Sequence, residues 1–154
     1  MAKLLDVLEW PHETLTKVTK EVTDFGPIAA LAEDMFYTME QSRGIGLAAN
    51  QVGQTIRMLT MNVNKPLALI NPVIVKASKE TYISQEGCLS FPGVIVEVER
   101  SKWVKVSFRD QFGEPHTLKL RKLESRCFLH ELDHLNGKTM LEVRVSGTEP
   151  QKRA

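Results

Sequence analysis

The run His130-Glu131-Leu132-Asp133-His134 constrains this chain more than any other feature. On a helix, residues four apart lie one above the other on the same face, so both imidazoles can reach one metal ion. Glu131 then sits beside the first ligand, where a carboxylate can handle the protons of a water. The flanking sequence predicts a helix over 122–136, with Asn136-Gly137 as its C-terminal stop. Its stripe of Leu123, Cys127, His130 and His134 puts the histidines on the core-facing side. The competing reading is a plain helix with two packed histidines.

A catalytic divalent site needs a third protein ligand and an open position. In the extended pattern HExxHxxGxxH, Gly137 fits, but Met140 stands where the last histidine would be. Glu142 and Glu149 are the downstream candidates. Cys127 lies about 10 Å from His134 along a helix rising 1.5 Å per residue, too far to share an ion, and reads as a small buried hydrophobe. Cys88 is the other candidate. It lies in Glu86-Gly87-Cys88-Leu89-Ser90-Phe91-Pro92-Gly93, between two strand-like segments, with Gly87 permitting close backbone approach. Alone it reads as a structural cysteine; beside a helix short of one ligand, the metal reading gains.

Length and charge narrow the remaining classes. A chain of 154 residues can bury a core without disulfides or structural metals. Its 42% hydrophobic and 25% charged residues exclude a disordered chain or a collagen. A net charge of +1 gives no bulk attraction to nucleic acid or to a membrane surface. Charges interrupt the apolar start Met1 to Trp10, and no run reaches the roughly 18 apolar residues of a membrane span. The expectation is a cytoplasmic monomer with no membrane partner. It has one catalytic domain over 1–154 and a short, frayed polar tail from about 146.

The rest of the chain reads as strands and one further helix. Gly26-Pro27 opens an amphipathic helix over 26–41, with Ile28, Leu31, Ala32, Met35 and Met39 at helical spacing. Ile56 to Met61 and Leu67 to Val75 favour strands, with Lys65-Pro66 and Asn71-Pro72 as breakers. Val94, Val96 and Val98 alternate with Ile95, Glu97 and Glu99, Val104, Val106 and Phe108 alternate with Lys105, Ser107 and Arg109, and a return strand carries His116, Leu118 and Leu120. A short strand is expected over Met140 to Val145. Strands joined by short turns, with helices set apart, make an α+β domain.

One segment resists a purely structural account. Gly44-Ile45-Gly46-Leu47-Ala48-Ala49-Asn50-Gln51 combines two glycines and two alanines, which mark backbone that packs or binds closely. It is no dinucleotide fingerprint, since no GxGxxG follows. Together with Glu86-Gly87-Cys88-Leu89-Ser90 and His130-Glu131-Leu132-Asp133-His134, this segment resembles the three motifs of the peptide deformylases, in order and rough spacing. The resemblance runs from Leu5 to about Leu141. It implies mainly antiparallel strands around a central HExxH helix, with an N-terminal helix.

The resemblance also implies a mechanism. Cys88, His130 and His134 would hold one divalent metal, iron(II) by preference, with zinc, nickel or cobalt also suited to the donor set. A water activated there would attack the formyl carbon of an N-formyl-methionyl peptide, and Glu131 would carry its proton to the leaving amine. The Gln51 amide and the Leu89 backbone N–H would stabilise the oxyanion. Ile45 and Gly46 would pair with the substrate backbone, their glycine keeping side chains out of its way. Leu123 and Cys127 would line the methionine pocket. Glu86, Arg100 and Asp133 would orient the cysteine loop and the metal helix, with an exposed ion pair as the alternative for Arg100.

Two departures accompany it. Many bacterial members carry a substrate-contacting arginine where this chain has Ile95, and Arg126 is unexpected beside the pocket. Bacterial members commonly continue into a long C-terminal helix associated with ribosome docking; here residues 138–154 follow Gly137, with Pro150 among them. A short-tailed member, such as phage genomes encode, fits that pattern, which leaves ribosome docking open. The rival readings are a metallopeptidase with a downstream glutamate ligand and a catalytically silent binding module. His12 and His116 receive no chemical role.

Overall fold

The structure, a computed structural model, describes residues 1–145 and the backbone of 151–152. Glu149, Pro150 and the rest of the expected tail lie outside the described residues. The helices are α1 (Ile28–Gln41), α2 (Leu123–Leu135) and α3 (Met140–Val143). The strands are β1 (Gly46–Ala48), β2 (Met58–Asn62), β3 (Pro66–Ala77), β4 (Thr81–Cys88), β5 (Phe91–Ser101), β6 (Trp103–Arg109), β7 (Pro115–Arg121) and β8 (Gln151–Lys152). Every strand pairing is antiparallel. The strands form one sheet in the order β1-β2-β3-β6-β7 and a second in the order β4-β5-β8.

The first sheet is covered on both faces where it matters. Leu59, Met61, Leu69, Val104, Val106, Phe108 and Leu120 pack against Cys127, Phe128 and Leu135 of α2. On the opposite side Leu47, Met58, Ala68 and Ile70 pack against Ile28, Ala32, Met35 and Met39 of α1. A strand buried on both faces loses its polar alternation, which is why Met58 to Met61 reads as a continuous run. Thr60 is the polar exception there. Its buried hydroxyl donates to Met39 Sδ at 2.9 Å. Strand β6, between β3 and β7, keeps its alternation, with Val104, Val106 and Phe108 inward.

Two expectations are corrected. Asn71-Pro72 does not break β3, which runs through it with a register shift between Ile70 and Val73. Asn71 takes φ 53°, and its side chain accepts from the Val22 N–H at 2.8 Å and donates to the Val22 carbonyl at 2.9 Å. An amide that mimics a strand partner lets the bulge persist. The expected strand over 140–145 is instead the helical turn α3, started by Thr139-Met140-Leu141-Glu142, where Glu142 Oε1 accepts the Thr139 N–H at 3.3 Å. Within 147–154, the stretch expected to fray, the backbone of Gln151 and Lys152 pairs with Ile95 and Val94.

Candidate metal centre

Helix α2 brings its histidines to the second sheet because its ends are pinned. Gly137 adopts φ +75°, and a β-carbon there would lie 2.6 Å from the Thr16 carbonyl oxygen, so glycine is required where the chain leaves the helix. Arg57 donates to the Leu135 carbonyl and to Asn136 Oδ1, and buried Asn50 donates to the His134 carbonyl. These contacts hold the last turn of α2 against the glycine-alanine segment.

Strand β4 delivers the cysteine. It ends at Cys88, Leu89-Ser90 forms a tight turn, and β5 leaves from Phe91. The N-terminal segment straps this turn: the Trp10 N–H donates to the Ser90 carbonyl at 2.9 Å, and the Trp10 ring stacks on Phe91 at 5.5 Å. Sequence reasoning missed this strap, since nothing local in residues 8–12 points eighty residues downstream.

The ligand atoms of Cys88, His130 and His134 all lie within 4.8 Å of one another. Cys88 Sγ is 3.3 Å from His134 Nε2. His130 directs Nδ1 to Glu86 Oε1 at 2.8 Å, which leaves its Nε2 for the cluster. Both histidines are buried, and burial pushes His134 well toward the neutral, ligating form. At His130 burial acts the same way, but Glu131, Cys88 and Glu86 outweigh it and favour a positive charge. A soft sulfur, two imidazoles and a surplus of negative groups fit a divalent cation. Glu142 stands elsewhere, capping α3, and Glu149 lies outside the described residues.

Glu131 faces this cluster from α2. It is buried, its Oε1 has no hydrogen-bond partner among the described residues, and burial pushes its carboxyl up to about 7. Gln51 approaches from the other side. Its Oε1 accepts the Ala48 N–H at 2.8 Å, which turns Nε2 toward Ser90 Oγ at 3.1 Å and Cys88 Sγ at 3.5 Å. Ser90 is thus a partner of Gln51 that the sequence reading did not single out.

A cleft of about 610 Å³ opens beside the cluster, lined among others by Ile45, Gly46, Leu89, Leu123, Cys127 and Glu131. Leu123 is 49% exposed at its rim, whereas Cys127 is 5% exposed, with a thiol raised well above its ordinary range by burial. Ile95 does not belong to the lining residues. Gly46 has a packing reason as well. A β-carbon on it would lie 2.6 Å from both Cys127 Sγ and Glu131 Oε2, so any side chain there would have to displace one of these groups. At Gly44 a β-carbon would meet Leu89 Cδ1 at 2.8 Å.

Behind His130 sits a buried ionic cluster. Arg100 grips Glu86 through Nε and Nη2, both at 2.9 Å, and reaches Asp133 through Nη1. Burial acts to raise the Glu86 carboxyl, but hydrogen bonds from Arg100 and His130 prevail and hold it at about 2. Arg100 is 7% exposed, so the exposed ion pair is excluded. Arg126 also turns inward, donating to Glu86 Oε2; the sequence offered only a solvent-facing head or an altered rim. His12 and His116 are local: His12 Nδ1 accepts the Thr14 N–H, and His116 pairs with Asp110 at 2.7 Å.

The comparisons with known proteins agree with one another. The polypeptide deformylase family profile matches residues 4–149. A peptide deformylase of Thermotoga neapolitana is 47% identical over 130 residues, covering 83% of this chain and 79% of the relative. That of Chromobacterium violaceum is 40% identical over 154 residues, covering 97% and 91%. The crystal structure of peptide deformylase from Thermotoga maritima matches with a TM-score of 0.90 at 40% identity, over 94% of this chain and 99% of that one. The Ehrlichia chaffeensis enzyme in complex with actinonin matches with a TM-score of 0.91 at 36% identity, over 95% and 91%. With likeness in sequence and fold over nearly its whole length, the chain belongs to the polypeptide deformylase family.

Proposed function

We propose that this protein removes the formyl group from N-formyl-methionyl peptides of nascent proteins, releasing formate, as a cytoplasmic monomer. Cys88, His130 and His134 would hold one divalent ion, iron(II) in the first place, with zinc, nickel or cobalt compatible. The observation that carries this reading is the convergence of those three ligand atoms within 4.8 Å of one another, beside the buried, unpartnered Oε1 of Glu131. The ion supplies Lewis-acid chemistry when bound, acidifying water and polarising a carbonyl.

The chain's own groups do the rest. β1 lies at the end of its sheet, so its outer edge can pair with an extended peptide through Ile45 and Gly46. The substrate side chain enters the cleft between Leu123 and Cys127. Glu131 takes a proton from the attacking water and gives it to the departing amine. Gln51 Nε2, oriented by the Ala48 N–H on its oxygen, and the Leu89 N–H donate to the oxygen that becomes negative. Each such donor typically lowers the barrier by roughly 3 kcal/mol. Glu86, held by Arg100 with Asp133 behind it, keeps the His130 ring in place.

The test is formate release from a formyl-methionyl peptide by protein purified without oxygen and loaded with iron(II), alongside Glu131→Gln. The expected result is turnover by the wild type and a loss of roughly 100-fold or more in the variant, with its metal retained. No formate from the metal-loaded wild type, or an undiminished rate in Glu131→Gln, overturns the reading.

A further inference from the structure

Arg126 lies beside Cys127 on α2 and is among the residues lining the cleft, with its head buried against β4 and β5. The residue is 5% exposed. Nη1 donates to Glu86 Oε2 and, at 3.0 Å, to the Val98 carbonyl; Nη2 donates to the Tyr82 carbonyl at 2.9 Å. The guanidinium carbon lies 4.4 Å from the Tyr82 ring centroid. One side chain on α2 therefore engages β4 at two points and β5 at a third.

These contacts complete the coordination of the Glu86 carboxylate. Oε1 accepts from Arg100 Nη2 and His130 Nδ1, and Oε2 accepts from Arg100 Nε and Arg126 Nη1. The two arginines balance Glu86 and Asp133, so the cluster is neutral without any charge on His130. A carboxylate with all four acceptor positions filled cannot rotate away from His130 Nδ1.

We propose that Arg126 is a positioning residue of the metal centre. It ties α2, which carries His130 and His134, to β4, which carries Cys88, and it locks the carboxylate that orients His130. The inference rests on Cys88, His130 and His134 being the ligands. Arginine suits the task because its planar fork serves a carboxylate and two carbonyls together, whereas a lysine ammonium serves Glu86 without spanning both carbonyls. Residues that orient a ligating histidine typically govern metal retention by 10–100-fold.

Cobalt(II)-loaded protein tests this through its visible absorption and the rate of cobalt loss to a chelator, with melting temperature followed in parallel. Arg126→Met is expected to lose cobalt roughly 10-fold or more faster than wild type, with a changed absorption band. Arg126→Lys is expected to fall between the two. A lower melting temperature with the wild-type loss rate and band overturns the proposal, because that is what packing alone would give. If Arg126→Met does not fold, Arg126→Lys decides: loss faster than wild type supports the proposal, and the wild-type rate overturns it. A wild type that takes up no cobalt overturns the ligand assignment itself, and is distinguished from failure at Arg126 by that first measurement.

Discussion

Gly46 and Glu131 are in contact across the cleft wall, so close that a β-carbon on Gly46 would lie 2.6 Å from Glu131 Oε2. Strand β1 and helix α2 meet at this point. The carboxylate proposed to carry the proton thus lies directly against the backbone proposed to receive the peptide. Absence of a side chain at position 46 sets that separation.

Gly46→Ala should therefore uncouple the two. The added methyl group must push either Glu131 or the whole of β1 aside, and a displacement near 1 Å at a reacting group can cost about 100-fold in rate. Deformylation by the metal-loaded variant should drop by about that factor in kcat/KM. The measurement is formate release together with a melting curve. Activity within threefold of wild type would show that β1 and α2 have slack to absorb the methyl group.

Metal content separates the two candidate ligand sets. Cys88→Ser should leave the protein nearly metal-free after dialysis, while Glu142→Gln should retain wild-type content, since Glu142 serves the Thr139 N–H of α3. Elemental analysis of both variants checks this. Full metal content in Cys88→Ser would return the third ligand to another residue.

Gln51→Leu should act on the reaction more than on binding. The amide is held by the Ala48 N–H and points Nε2 toward Ser90 and Cys88, where it is available to a developing negative oxygen. Loss of one such donor corresponds to roughly 3 kcal/mol, or about 100-fold in kcat with KM little changed. Steady-state kinetics on a formyl-methionyl peptide gives the split. A loss confined to KM would assign Gln51 to substrate binding instead.

Acid should expose the Asp110–His116 pair in the β6–β7 turn. Burial acts to raise the Asp110 carboxyl, but hydrogen bonds from His116 and from the Phe112 and Glu114 N–H groups hold it below the usual range. A depressed carboxylate stabilises the fold above its unfolded value, about 3.9, and that contribution disappears as pH falls through the folded value. Asp110→Asn should be less stable than wild type at pH 6, and the gap should close as pH falls below about 4. Urea midpoints for both proteins across that range provide the check. A pH-independent gap would mean the carboxylate matters only as a neutral turn former.

Much of the architecture was legible because it follows local periodicity. The helical stripe of α1, the alternation in β6 and the Asn136-Gly137 stop of α2 are each encoded within a few residues. Where local signals misled, a side chain had supplied the backbone with a partner. Asn71-Pro72 reads as a breaker until the Asn71 amide finds the backbone of Val22. Met140 to Val145 reads as a strand until Glu142 caps the Thr139 N–H.

The same division runs through the candidate site. HExxH dictates two imidazoles on one helix face, and the resemblance of the three motifs to one family points to Cys88 and Gln51. Only tertiary structure decided why Gly46 is glycine, where Ser90 and Trp10 belong, and which way Arg126 turns. Those answers depend on how closely two elements approach and on which buried charge must be neutralised. Sequence spacing specifies contacts within one helix or strand; the distance between α2 and β4, which Arg126 and Glu86 span, is set by packing of the whole chain.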